Sequence, residues 1–413
     1  MAGSNRTLCI SVIASLYALT LLPSSATAAL PLGSFYAVIF AIVSLTIGIV
    51  SQRRSMRRPP LSGALLGFYV LATLATTFSG TANPFSLLIP VVALGAYWVV
   101  FSSTSRDRAV IAASIVFLAL IETALGAAEV FLGTGVLVGQ PFVLTPDNPF
   151  FPGRPRAQGT LAHPLVLSFV QIVGIGLICA RRTRTLLRLL IAAALVVGTA
   201  LTGSSSGLVV AIIVAALWYL NRTSPVAATF AYLSAAIVIL LVTAQGLTSA
   251  VLEQELDERN AGHRINSIAA IPNLLFERDL GAAIFGSGYS SVTELYRNGI
   301  FFNDGFYAVD NQFVSLLVQG GIVGAALVLC AIIGLTVAIA RRNRAHLPGW
   351  VGLVGMGLSF DFMAWYVTAA LFLAYGAIAV GDRSGEREEI SLTGAMSEVS
   401  AGSSGTAAAR RAV

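Results

Sequence analysis

The sequence predicts an all-α fold, a polytopic membrane helical bundle of about 12 transmembrane helices with one large extracytoplasmic loop. Three observations predict it. Apolar residues make up 56% of the 413-residue chain and charged residues only 11%, where a soluble domain carries roughly a quarter. Mean hydropathy is +0.83. Apolar runs recur at the length a spanning helix needs, roughly 20 residues, and arginines gather in tight clusters between those runs.

Taken in order, the runs lie near residues 8–22, 32–50, 61–78, 85–102, 109–132, 161–180, 186–202, 206–220, 226–246 and 313–340. The stretch 348–380 is longer than one span requires, and Asp361 sits near its middle. A charge facing lipid there is costly, so the stretch reads as two short spans hinged near Asp361. Twelve spans put both termini in the cytoplasm. The clusters Arg53 to Arg58, Arg106 and Arg108, Arg181 to Arg188 and Arg341 to Arg344 then all fall inside, as short cytoplasmic loops require. By this map 19 of the 25 basic residues are inside, and Arg154, Arg156, Arg259, Arg264, Arg278 and Arg297 are outside. The expected location is the plasma membrane, crossed many times. Arg6, an apolar run and Ala26-Thr27-Ala28 imitate a cleaved secretory signal, but a retained first helix keeps the charge alternation intact.

Residues 1–380 form one membrane domain in this reading, with outer loops at 133–160 and 247–312. The tail 381–413, rich in Gly, Ser, Ala and charge without an apolar period, is expected to be disordered. Hydropathy shows no repeat of one half in the other, which argues against internally duplicated transporter folds. All 25 basic residues are Arg. Without Lys there is no GxxxxGK[ST] phosphate loop, no Schiff-base chemistry and no pyridoxal enzyme. The net charge of +6 reflects arginines facing anionic headgroups, not a nucleic-acid site. Cys9, Cys179 and Cys330 lie in apolar spans and read as core residues. The three His residues are scattered, so no metal-ligand set emerges and no cofactor is called for.

Two outer segments break the pattern of short loops. Residues 133–160 contain Pro141, Pro146, Pro149, Pro152 and Pro155. Residues 247–312 open with an amphipathic helical pattern from Leu247 to Ile271, closed by Pro272, and continue through Gly286-Ser287-Gly288-Tyr289. Tyr289, Tyr296, Phe301, Phe302, Phe306 and Tyr307 follow. Such rings suit the faces of sugars and equally suit anchorage at the membrane interface.

Arg156 stands in Arg156-Ala157-Gln158-Gly159-Thr160-Leu161-Ala162-His163-Pro164, where an outer loop enters a span. Beside a glycine turn, its guanidinium offers a fork of donors to a phosphate or diphosphate; the alternative is an interfacial Arg meeting lipid headgroups. His163 is either a proton carrier or a structural hydrogen-bonder. Arg264, after His263, is a second phosphate clamp or a partner of Asp257 or Glu258. The loop 247–312 is net acidic, so any anion site must be local. Glu122 and Glu129, seven residues apart, share a helical face. They hold an arginine, or form a proton or ion site, since intramembrane acids are functional candidates by default.

The Gly159-to-Pro164 element after an Arg is followed by Leu201-Thr202-Gly203-Ser204-Ser205-Ser206-Gly207 opening a span. An outer loop with Arg264 and Gly286-Ser287-Gly288 comes next, then Asp310-Asn311-Gln312 with Gly321 and Gly324 downstream. Over residues 150–330 this order resembles the O-antigen ligase and polymerase superfamily. Asp310 occupies the position where the ligase branch has His, which points toward a polysaccharide polymerase. Ser205 stands where many relatives carry Arg. The resemblance implies a metal-independent glycosyltransferase whose donor is a polyprenyl-diphosphate-linked oligosaccharide on the outer leaflet, working beside a flippase and a chain-length regulator. Arg156 and Arg264 would stabilise the departing diphosphate and Asp310 would act as base. His163, Gly286, Gly288, Tyr289, Asn311 and Glu122 would contact substrate. Asp310 and Asn311 also read simply as caps of the following span. A ligase and a membrane transporter or flippase are the rival functions.

Overall fold

The computed structural model describes residues 6–22, 35–51, 61–78, 88–132, 147–181, 183–224, 227, 231–232, 234, 267–289, 291–301 and 309–381. Among them there is no strand. The helices are α1 Arg6–Leu21, α2 Phe35–Ser51, α3 Leu61–Phe78, α4 Leu88–Ser102, α5 Ser105–Leu132, α6 Pro164–Ala180, α7 Thr185–Leu201 and α8 Ser205–Thr223. After the undescribed stretch come three short helices, α9 Ile271–Phe276, α10 Leu280–Phe285 and α11 Val292–Arg297. Then follow α12 Gln312–Arg342, α13 Leu347–Met356 and α14 Tyr366–Gly381. Three of these, α5, α8 and α12, are long and apolar enough to cross a membrane.

Helices sit at nearly every apolar run read from the sequence, and the stretch 348–380 is indeed two helices with Asp361 between them. The run 226–246 and most of the amphipathic segment 247–271, including His263 and Arg264, lie outside the described residues, as do 133–146 and the tail from 382.

A helix that is apolar all round belongs in the interior, and two helices fit that rule. Every residue of α6 from Pro164 to Cys179 is buried, and so is every residue of α14 from Val367 to Val380. Helices α5, α7, α8 and α13 pack on α6, and α4 packs on α14. The surrounding helices bury one face and leave the other exposed but still apolar, as at Ile39, Phe40, Val43 and Ile47 on α2 and Ile322, Ile333 and Val337 on α12. Such a surface suits hydrocarbon rather than water.

Five hydroxyls inside these helices are satisfied locally. Ser15, Thr20, Thr123, Thr199 and Thr336 each donate to the carbonyl four residues back, which removes the cost of an orphan donor in apolar surroundings. Arg108 is fully buried. Its guanidinium donates to the Ser103 and Gly381 carbonyls, tying the α4–α5 turn to the end of α14. Cys9 and Cys179 are buried, whereas Cys330 is exposed on α12, and no pair is bonded.

Candidate functional site

The turn leading into α6 is built on two carboxylates. Glu129 Oε2 accepts the Gln158 and Gly159 N–H groups at 2.8 and 2.9 Å. Glu122 Oε2 accepts the Thr160 N–H at 3.0 Å, and the Thr160 hydroxyl sits between Glu122 Oε1 and the Thr20 carbonyl. Among the described residues, Glu122 and Glu129 thus hold a backbone turn, not an arginine, their shared face on α5 accepting its N–H groups. Gly159 has φ +59, and a Cβ there would stand 2.2 Å from Glu122 Oε2, so only glycine lets the backbone approach the acid this closely. Ala162 is also left-handed, at φ 57, a strained conformation for a residue with a side chain.

That strained turn delivers two side chains. Arg156 Nε donates to the Thr202 carbonyl at 2.9 Å, and Ala157 N and Asn148 Nδ2 donate to the Leu201 carbonyl at 2.9 and 2.6 Å. The segment 148–157 therefore supplies donors to the last carbonyls of α7, where the helix dipole favours a cation. His163 is the N-cap of α6, its Nδ1 accepting from Leu165 N at 3.2 Å, with Pro164 in the first turn. A neutral ring with Nδ1 as acceptor carries its proton on Nε2. The ring stacks on Phe360 and lies 5.2 Å from Trp365. Burial pushes its pKa down to about 4, Asp310 opposing and Arg156 reinforcing the shift. His163 is thus neutral at physiological pH, and the opposite charges of Asp310 and Arg156 both act on it.

The structure gives the cap to one residue of the Asp310-Asn311 pair. Asn311 is the cap of α12: its Oδ1 accepts from Phe313 N and Val314 N at 2.9 and 3.2 Å, and its Nδ2 donates to the Leu358 carbonyl. Its amide is committed to the fold. Asp310, one residue earlier, takes no part in the cap and has no hydrogen-bond partner among the described residues, while remaining partly buried. Asp361 faces the same region from the α13–α14 connection. Its Oδ2 accepts the Ser315 hydroxyl, and its Oδ1 is buried without a partner. Burial raises its carboxyl to about 7, and the nearby Asp310 charge adds to the rise.

The Gly286-Ser287-Gly288 element docks on a kink in α12. Gly321 breaks the helix with φ 60 and ψ −161, releasing the Val318 and Gln319 carbonyls, which accept from Ser287 N and Gly288 N at 2.8 and 3.0 Å. A Cβ on Gly286 would meet the Gln319 carbonyl at 2.2 Å, and one on Gly321 would meet the Ile284 carbonyl at 2.4 Å. Gly286 and Gly288 are backbone couplers in this arrangement. Tyr289 follows into the interior, 2% exposed, its hydroxyl 3.4 Å from the Met363 carbonyl. It joins Tyr69, which donates to Gln319 Oε1 at 3.2 Å, in a buried network beside Asp361. Tyr296 and Phe301 stack at 4.8 Å and bury themselves among Leu274, Leu295, Val314 and Val318. They are a small core, not a sugar platform; Phe302, Phe306 and Tyr307 lie outside the described residues.

The structure therefore gathers Arg156, His163, Asp310 and Asp361 at one end of the bundle. Glu122, Asn311, Gly286, Gly288 and Tyr289 build the frame around them. Arg264 lies outside the described residues. Sequence reasoning gave no role to Tyr69, Ser315 or Arg278, whose Nη2 donates to the Ser287 hydroxyl at 2.6 Å. The signal available for Asp361 was an acid inside a long apolar run. Among the described residues no cluster of His, Cys, Asp or Glu could hold a metal ion. No family model and no curated protein matches the sequence.

Proposed function

We propose that this chain is a twelve-span plasma-membrane glycosyltransferase, both termini cytoplasmic, that polymerises polyprenyl-diphosphate-linked oligosaccharide repeats on the outer leaflet. The observation that carries the reading is that Arg156 and Asp310, of opposite charge, both act electrostatically on neutral His163, which follows the turn held by Glu122 and Glu129.

In the proposed step an acceptor hydroxyl attacks the anomeric carbon of the donor sugar. The new carbon–oxygen bond forms as the bond to the diphosphate breaks, and the electron pair leaves on the diphosphate. The hydroxyl proton passes to the Asp310 carboxylate, which is free of the helix cap and so able to accept it. Guanidinium groups stabilise the charge that grows on the leaving diphosphate; Arg156 is the described one, and Arg264 is retained as the second. His163 Nε2–H is a neutral donor for a sugar or phosphate oxygen.

The transporter alternative is weakened because Glu122 and Glu129, the acids it would use, already accept four donors from the turn. Polymerase and ligase differ in what a deletion strain accumulates. Single lipid-linked repeats accompany loss of a polymerase, and long lipid-linked chains accompany loss of a ligase. Arg156→Ala and Asp310→Asn are each expected to lower polymer formation by at least about 100-fold, the scale of losing an electrostatic or general-base group, with membrane levels unchanged. Normal polymer length in both variants refutes the reading.

A further inference from the structure

The opposite end of α7 carries a second constellation that glycosyl transfer does not use. Arg184 stands at the N-cap of α7 without a side-chain cap, and the first turn holds no acid. The first N–H groups of a helix need acceptors and carry partial positive charge. Arg188, within that turn, is 3% exposed. Its Nη2 donates to the Thr183 carbonyl at 2.7 Å, but its Nε and Nη1 are buried without partners, and so is the Thr183 hydroxyl. On α8, Trp218 has the Arg188 guanidinium 5.4 Å from its ring centre and the Arg222 guanidinium 4.8 Å away. Among the described residues, Arg222 and Cys179 are the titratable groups that act on Arg188, and neither is a carboxylate.

Two guanidiniums thus share one indole, and one of them lies beside an unpartnered hydroxyl and an uncapped helix start. A buried charge of this kind is costly unless paired, and the indole offers only a cation–π contact. The missing partner is an anion with several oxygens. Leu186, Leu187, Leu189 and Leu190, on the same turns of α7, are exposed apolar side chains. They give an acyl chain a wall to lie on beside the donors, which a free anion would not need.

We propose that this end of α7 and α8 binds the phosphate headgroup of an anionic phospholipid. The inference needs these helices to lie in lipid, and it stands apart from the glycosyltransferase reading. The test is native mass spectrometry of delipidated full-length protein with added phosphatidylglycerol, phosphatidylcholine or inorganic phosphate. Wild type is expected to retain phosphatidylglycerol in preference to phosphatidylcholine. Removing a charged hydrogen-bond partner costs about 1.5–3 kcal/mol, so Arg188→Gln/Arg222→Gln should bind it at least about tenfold more weakly. Arg222 is exposed, so Arg222→Gln alone serves if the double variant misfolds, and it too should weaken retention. Equal retention by the folded variants, or equal binding of phosphatidylcholine, overturns the site. Inorganic phosphate that displaces the lipid at equal concentration overturns the lipid as its occupant.

Discussion

At the residue scale, burial decides what each charged group can do. His163 sits beside the Phe360 and Trp365 rings and stays neutral, so it keeps one ring proton to donate but does not take up the second that would charge it at pH 7. Asp361 holds its proton more tightly in the fold than in the unfolded chain, where a carboxyl titrates near 4. The stability it supplies is therefore fully present below about pH 4 and is lost as pH rises through about 7. Apparent melting temperature of purified protein should fall between pH 5 and pH 8, and Asp361→Asn, which cannot ionise, should flatten that dependence. An unchanged slope in the variant would show that another group governs it. Glu122→Ala strips acceptors from Thr160 N and its hydroxyl, at about 1–3 kcal/mol for each buried group left unpaired. Glu122→Gln keeps an acceptor oxygen and should cost less, which thermal melts of the two variants compare directly.

At the element scale, the informative contact is the junction of Gly286 with the kink at Gly321. Positive φ at both positions, with the opposing backbone where a Cβ would stand, leaves no room for alanine. Each Gly→Ala change adds about 1–3 kcal/mol of conformational strain on top of the clash, so Gly286→Ala and Gly321→Ala should each lower the melting point by several degrees and release the loop to protease. Wild-type protease resistance in both would deny the junction. Most helices were legible in the sequence because apolar runs bounded by arginines report a helix in hydrocarbon without reference to its neighbours. The division at Asp361 was legible for the same reason, through the cost of a charge. The kink was not, since Gly-Gly within an apolar run marks close approach without naming the partner. Nor was the job of Glu122 and Glu129: a shared helical face says that two acids point the same way, not that a turn thirty residues on will lie across them.

At the scale of the whole molecule, two almost entirely buried helices, α6 and α14, set the interior, and neither contains a charged residue. One end gathers the Arg156, His163 and Asp310 group; the other gathers arginines with lone donors around Trp218. Which residues converge depends on helix packing, which hydropathy does not encode, and so Arg156 and Asp310 could be named from the sequence as candidates but not as two charges that both act on His163. Asn311 and Asp310 show the same limit in miniature, because a capping residue and its non-capping neighbour look alike until the helix start is fixed. If residues 247–312 lie outside as proposed, single cysteines at exposed positions such as Glu294 and Asn298 should react with a membrane-impermeant thiol reagent in intact cells. A cysteine at Arg342 should react only after permeabilisation.

The central claim is that opposed charges at Arg156 and Asp310 carry out glycosyl transfer from a diphosphate lipid. Its most direct measurement is product length after reconstituting purified protein with a polyprenyl-diphosphate oligosaccharide and no other enzyme. Wild type should give a ladder of longer lipid-linked chains, with neither Arg156→Ala nor Asp310→Asn extending the starting repeat. An unextended substrate with folded wild-type protein, or full ladders from both variants, would contradict it.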